Sequence, residues 1–265
     1  MLNSGTPAPA ATPPATAVAT PEFIAKVKGY HDDNFTEVNS ALTNIEKQLR
    51  KALSKGDDSG ELTFTRLYTM LLGVWCEARL HKLLYEKGVF SETERQFVYA
   101  VTQLSERWQR ALELGLKKHL GLPMDEEISR RTVKFSKLNI YEEIREWISE
   151  HFSPAITLRN KIAHGQWAMP FPNTQGDWLS SNNFSICGLS KAALSAENLL
   201  TTSIKIDLIK EISVTINNLA VDSLIYKVEN FDERYAEVSS IIEKLPLVDY
   251  RAFKQGIRGT FKTPA

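Results

Sequence analysis

The hexapeptide Arg159-Asn160-Lys161-Ile162-Ala163-His164 places a permanent cation, an amide and an imidazole within six residues. A guanidinium can hold a phosphate in fork geometry and offset the charge that builds up in a phosphoryl transition state, while an imidazole titrating near neutrality can move a proton. These are sufficient parts for phosphodiester chemistry without a metal ion. With 13 Arg and 5 His in 265 residues, Arg followed five places later by His is expected about 0.25 times by chance, so the bare pair says little. Requiring Asn, of which there are 13, directly after the Arg lowers the expectation to roughly 0.01, and the three-residue pattern is informative. Arg145 and His151, six apart with Glu146 after the arginine, match only the looser pattern and rank well below it.

These side chains need a scaffold, and the apolar periodicity describes a helical one. Residues 1–20 are rich in Ala, Thr and Pro and read as a disordered tail. Pro21 to Leu53 reads as one long helix, or two joined near Asp32 to Asn34. Lys55 to Gly60 is a turn, and Leu62 to Glu86 is a second helix with Gly88 as its stop. Ser91 and Glu94 have the spacing of a capping box, which opens a third helix running to Leu120. Short connections predict that these helices pack as an antiparallel bundle.

Asp125 to Leu138 is less regular and carries Arg130, Arg131, Lys134 and Lys137. Ile140 to Ile148 reads as a short helix. Ser153-Pro154 then supplies an N-cap with proline in the first turn, and Gly165 sits where a C′ glycine belongs, so the motif rides on a helix of about Pro154 to His164. Residues 166–200 mix Pro, Gly and Asn with Trp167, Phe171, Trp178 and Phe184, which predicts an irregular insertion or small β-hairpin. Helicity returns from Ile204 to Val228 and from Phe231 to Leu245, and 246–265 reads as a basic tail. The fold expected is a single all-α domain over 21–245.

The chain has 32 basic and 32 acidic residues, so any nucleic-acid contact must come from a local patch. Cys76 and Cys187 are too few for a disulfide framework and lack metal spacing to the histidines. No stretch has the composition of a signal peptide or a membrane span. The expectations are a cytoplasmic protein with no cofactor and no metal.

Residues five apart on a straight helix differ by 500°, which leaves Arg159 and His164 about 140° apart around the axis. Either the helix distorts between them, or His164 lies in a fraying last turn beside Gly165, or each side chain meets its counterpart on a second chain.

The string Arg-Asn-Lys-Ile-Ala-His, late in a helical bundle and followed by Gly165 and Trp167, resembles the Arg-x4-6-His signature of the HEPN superfamily, in which a polar residue commonly follows the arginine. The resemblance implies an all-α bundle of HEPN type, homodimers that bring two motifs together, and metal-independent endoribonuclease activity in antiviral defence or toxin systems, with an antitoxin or regulatory protein as a possible partner. His164 would then be the general acid or base at the ribose 2′-hydroxyl or the leaving 5′-oxygen, Arg159 would bind the scissile phosphate, and Asn160 would position one of them. The product would be a 2′,3′-cyclic phosphate. Lys161, Arg130, Arg131 and Trp167 are candidate RNA contacts, and Trp178 is a second candidate base-stacking ring; the competing use is core packing for both tryptophans, which is the commoner one, and a solvated helix face for the arginine pair. The alternative is a non-catalytic interaction or nucleotide-binding module. In it His164 is held by the helix dipole and Arg159 pairs with a carboxylate of the second helix, for which Glu77 is the candidate, unless Glu77 pairs with His81 one turn on.

Overall fold

The structure is a computed structural model that describes residues 19–172, 185–221 and 228–260. Helix α1 (Pro21–Lys55) starts where the Thr20 hydroxyl accepts from the Phe23 amide with Pro21 in the first turn, and it continues unbroken past Asp32. The chain reverses at Gly56 and enters α2 (Asp58–Leu84), whose first turn is capped by the Asp57 carboxylate on the Gly60 amide. The two helices pair antiparallel. Asp32 meets Lys82 at 2.9 Å, the Trp75 indole donates to Asn39 at 2.8 Å, and the Tyr68 hydroxyl donates to Glu46 at 3.3 Å.

Both halves of the Ser91–Glu94 capping box form at the start of α3 (Glu92–Tyr99). The single helix expected from Ser91 to Leu120 is instead two, α3 and α4 (Leu104–Leu120), because Gln103 adopts extended backbone. The Arg107 guanidinium donates to the Val101 carbonyl at 2.8 Å, which satisfies backbone opened by the break. Apolar spacing carries across the gap through Phe97, Val101 and Leu104, so periodicity alone joins the two helices.

Helix α5 (Phe135–Trp147), one π-helical turn (Ile148–Phe152) and α6 (Ser153–Ala163) form a continuous helical path. Ser153 is therefore not an N-cap: it and Phe152 have helical dihedrals, and no side-chain cap forms. Pro154 gives a reason for the wide turn. It has no N–H to offer the carbonyl four residues back and its ring crowds that carbonyl, and widening the turn relieves the crowding. The π-turn also buries Ile148 and Phe152, the latter edge-on to Trp108 with ring centroids 5.2 Å apart.

The remaining helices are α7 (Gly188–Ala196), α8 (Leu199–Ala220), α9 (Val228–Lys244) and α10 (Tyr250–Thr260). No strand occurs among the described residues. The described part of the 166–200 insertion is turn followed by helix, while 173–184, including Trp178, lie outside the described residues, as does the predicted tail before Ala19. Leu194 of α7 packs with Leu158 and Ile162 of α6, an attachment that the surrounding Gly, Pro and Asn conceal in the sequence. The expected basic tail is also helical over Tyr250–Thr260. Phe253 and Ile257 of α10 pack on the core, Tyr250 donates to Glu61 at 2.8 Å, and Lys254 also pairs with Glu61. Helix α8 carries Ile206, Ile209, Ile212 and Ile216 into the main core. Among the described residues no helix is long and apolar enough to cross a membrane.

Candidate functional site

Arg66, Gly73 and Glu77 fall on one stripe of α2, since steps of seven and eleven residues return to nearly the same helical angle. Helix α6 runs antiparallel along this stripe. At Gly73 the approach is so close that a β-carbon would stand 2.4 Å from Arg159 Cβ and 2.8 Å from the Ala155 carbonyl oxygen. No other residue fits there without moving α6. The crossing seats the stem of Arg159 on α2 and carries its guanidinium one turn along to Glu77, with Nη2 to Oε2 at 2.7 Å. The side chains are 24% and 43% exposed, so the partly screened pair orients Arg159 more than it stabilises the fold. Arg159 Nε is buried with no hydrogen-bond partner. Glu77 thus goes to Arg159 rather than to His81. The buried His81 Nε2 has no partner, and burial, followed by the charge of His31 with its ring centroid 5.1 Å away, lowers the His81 pKa.

The other end of the motif is a helix terminus. Helix α6 stays regular through Ala163, so no distortion falls between Arg159 and His164, and His164 is the C-cap residue with φ −88° and ψ 17°. The Gly165 amide donates to Ile162 at 3.0 Å and the Gln166 amide to Lys161 at 2.9 Å, a Schellman closure that needs the left-handed φ of 76° at Gly165. Asn160 and His164 are both exposed. Lys161, expected at an RNA surface, points inward instead: it is 4% exposed and its ammonium donates to the Phe171 carbonyl.

Trp167 continues the terminus. Its indole Nε1 donates to the Ile162 carbonyl at 3.0 Å, and its own carbonyl accepts from Arg66 Nε at 3.1 Å. Arg66 is buried and reaches the Leu194 carbonyl at 2.6 Å with Nη1, tying α2, the segment after the motif and α7 together. Arg66 and Gly73 were not singled out from sequence. The signal for both was the stripe they share with Glu77, visible as a cation, a glycine and a carboxylate at helical spacing.

Arg130 and Arg131 are not brought to the motif. Arg130 lies over the Phe135 ring at 5.1 Å, and Phe135 is separated from Arg159 by roughly 36 Å of rise along the continuous helical path. The looser Arg145–His151 pair is also dispersed in role. His151 sits in the π-turn with Nε2 buried, without a hydrogen bond and 4.0 Å from Glu150 Oε2, and burial, then Lys205, pushes its pKa down to about 4. Among the described residues no three His, Cys, Asp or Glu side chains are grouped to hold a metal ion. Comparison of the chain with protein-family models, with curated proteins and with solved structures gave no match.

Proposed function

We propose that this chain is a HEPN-like, metal-independent endoribonuclease. The reading is supported chiefly by the motif helix: Arg159 is oriented by Glu77 and keeps part of its side chain at the surface, and Asn160 and His164 are exposed towards the helix terminus. His164 takes the proton from a ribose 2′-hydroxyl or delivers one to the leaving 5′-oxygen, and Arg159 offsets charge on the phosphate. Asn160 holds the phosphate or the ribose through its amide. The attacking oxygen belongs to the substrate, so the product is a 2′,3′-cyclic phosphate beside a 5′-hydroxyl.

The regular helix between Arg159 and His164 keeps the two about 140° apart around its axis, and in this reading the pair is completed across a homodimer, each copy presenting its motif to the other. A cytoplasmic defence or toxin role under an antitoxin or regulatory protein follows the same resemblance. The Arg159–Glu77 pair also favours a second reading, a non-catalytic module in which the arginine is wholly structural.

Product chemistry separates the two. RNA incubated with the purified protein should yield cyclic-phosphate and 5′-hydroxyl ends, and 2′-O-methyl RNA of the same sequence should stay intact. Fragments with 5′-phosphate ends, or cleavage of the methylated strand, would contradict the mechanism.

A further inference from the structure

Trp167 is a large ring left on the surface, three residues beyond His164 and 37% exposed. Exposed aromatics commonly swing freely, but this one is fixed at both ends. Its indole N–H is spent on the Ile162 carbonyl at 3.0 Å, and its peptide carbonyl is held by the buried Arg66 at 3.1 Å. An ordered ring loses little conformational entropy when a flat partner settles on it.

The segment around it is poor in negative charge. From His151 to Gly176 the sequence has no carboxylate; of its two cations, Lys161 is buried on the Phe171 carbonyl and Arg159 shares its charge with Glu77. The helix end would otherwise present open carbonyls to an approaching phosphate. Here the Asn160 carbonyl accepts from the His164 amide, the Lys161 carbonyl from Gln166, and the Ile162 carbonyl from both Gly165 and the Trp167 indole.

We propose that the Trp167 ring is a nucleobase platform that stacks a base flanking the phosphate held by Arg159, which makes the substrate a single-stranded RNA segment. This rests on the ribonuclease reading above and deepens it. A base inside a duplex cannot offer its face to a side chain, whereas an unpaired one can, and a stacked base steers its own phosphate towards the motif. Purines, with the larger face, are favoured at that position.

The test is fluorescence-anisotropy binding of a short, labelled 2′-O-methyl oligonucleotide, which is not cut, to wild type, Trp167→Ala and Trp167→Phe, with circular dichroism to check folding. Trp167→Ala should bind about ten-fold more weakly. Trp167→Phe, which keeps a ring but loses the bond to Ile162, should bind within about three-fold of wild type. Replacing the flanking base with an abasic site should weaken wild type and leave Trp167→Ala unaffected. If Phe is as poor as Ala, the ring serves only as a helix cap and the platform is refuted. If all three proteins bind and cleave RNA alike, the platform fails while the ribonuclease reading stands. If wild type neither binds the oligonucleotide nor cleaves RNA, both fail.

Discussion

Arg159 Nη2 and Glu77 Oε2 lie 2.7 Å apart on two helices that meet at Gly73. The pair joins the motif helix to the long hairpin of α1 and α2, and it makes the direction of the guanidinium a property of the scaffold rather than of the exposed surface. Among the described residues Arg159 Nε is buried without a hydrogen-bond partner, so the Glu77 carboxylate is what directs the guanidinium.

Glu77 is therefore a positioning residue. On the proposed ribonuclease reading, Glu77→Ala should lower RNA cleavage about ten-fold or more by letting Arg159 drift, while Glu77→Gln, which keeps an acceptor, should retain most of it. The melting temperature should move by no more than about 4 °C in either, since the pair is half-buried and partly screened by solvent. Equal activity in Glu77→Ala and wild type, measured on the same RNA, would remove Glu77 from the account.

Gly73→Ala should act on both stability and activity. The added methyl meets the Arg159 stem and the Ala155 carbonyl, and α6 must shift to admit it. Overpacking of this kind costs about 1–3 kcal/mol, readable as a lower urea midpoint. Because the shift displaces Arg159 itself, cleavage should fall even under conditions where the variant is fully folded.

Stability should decline as pH falls below neutrality. His151 is held neutral by burial, with a pKa near 4 against an ordinary 6.5, so between those values the unfolded chain binds a proton that the folded chain refuses. Its contribution, on the order of 3 kcal/mol, is complete above about pH 6.5 and is lost as pH approaches 4. His31, His81 and His119, also lowered by burial, act in the same direction. Urea unfolding of wild type at pH 7 and pH 5 should show the loss, and His151→Leu should reduce it. An identical pH dependence in the variant would contradict the assignment.

The sequence carried the helices wherever the apolar spacing was long and uninterrupted, and it placed the Ser91–Glu94 cap and the Gly165 terminus. Errors arose where two signals conflicted. Phe97, Val101 and Leu104 keep helical spacing across a break made by backbone at Gln103. Ser153-Pro154 reads as a helix start, yet the chain is already helical and takes up the proline with a π-turn. Helix α7 is short and flanked by breakers, and only its contact with Leu158 and Ile162 justifies it. At the site, Glu77 was legible as the carboxylate for Arg159. The inward turn of Lys161 was not, because the Phe171 carbonyl that receives it is set by the path of the chain after Gly165. Arg130 and Arg131 are near the motif in sequence, and the intervening helix holds them away from it.

The most direct test of the central claim is incubation of purified wild type and His164→Ala with mixed RNA in excess EDTA. The account predicts cleavage by the wild type alone, undiminished by the chelator, with the variant folded and at least 100-fold slower. Cleavage by both proteins, or by neither, would contradict it.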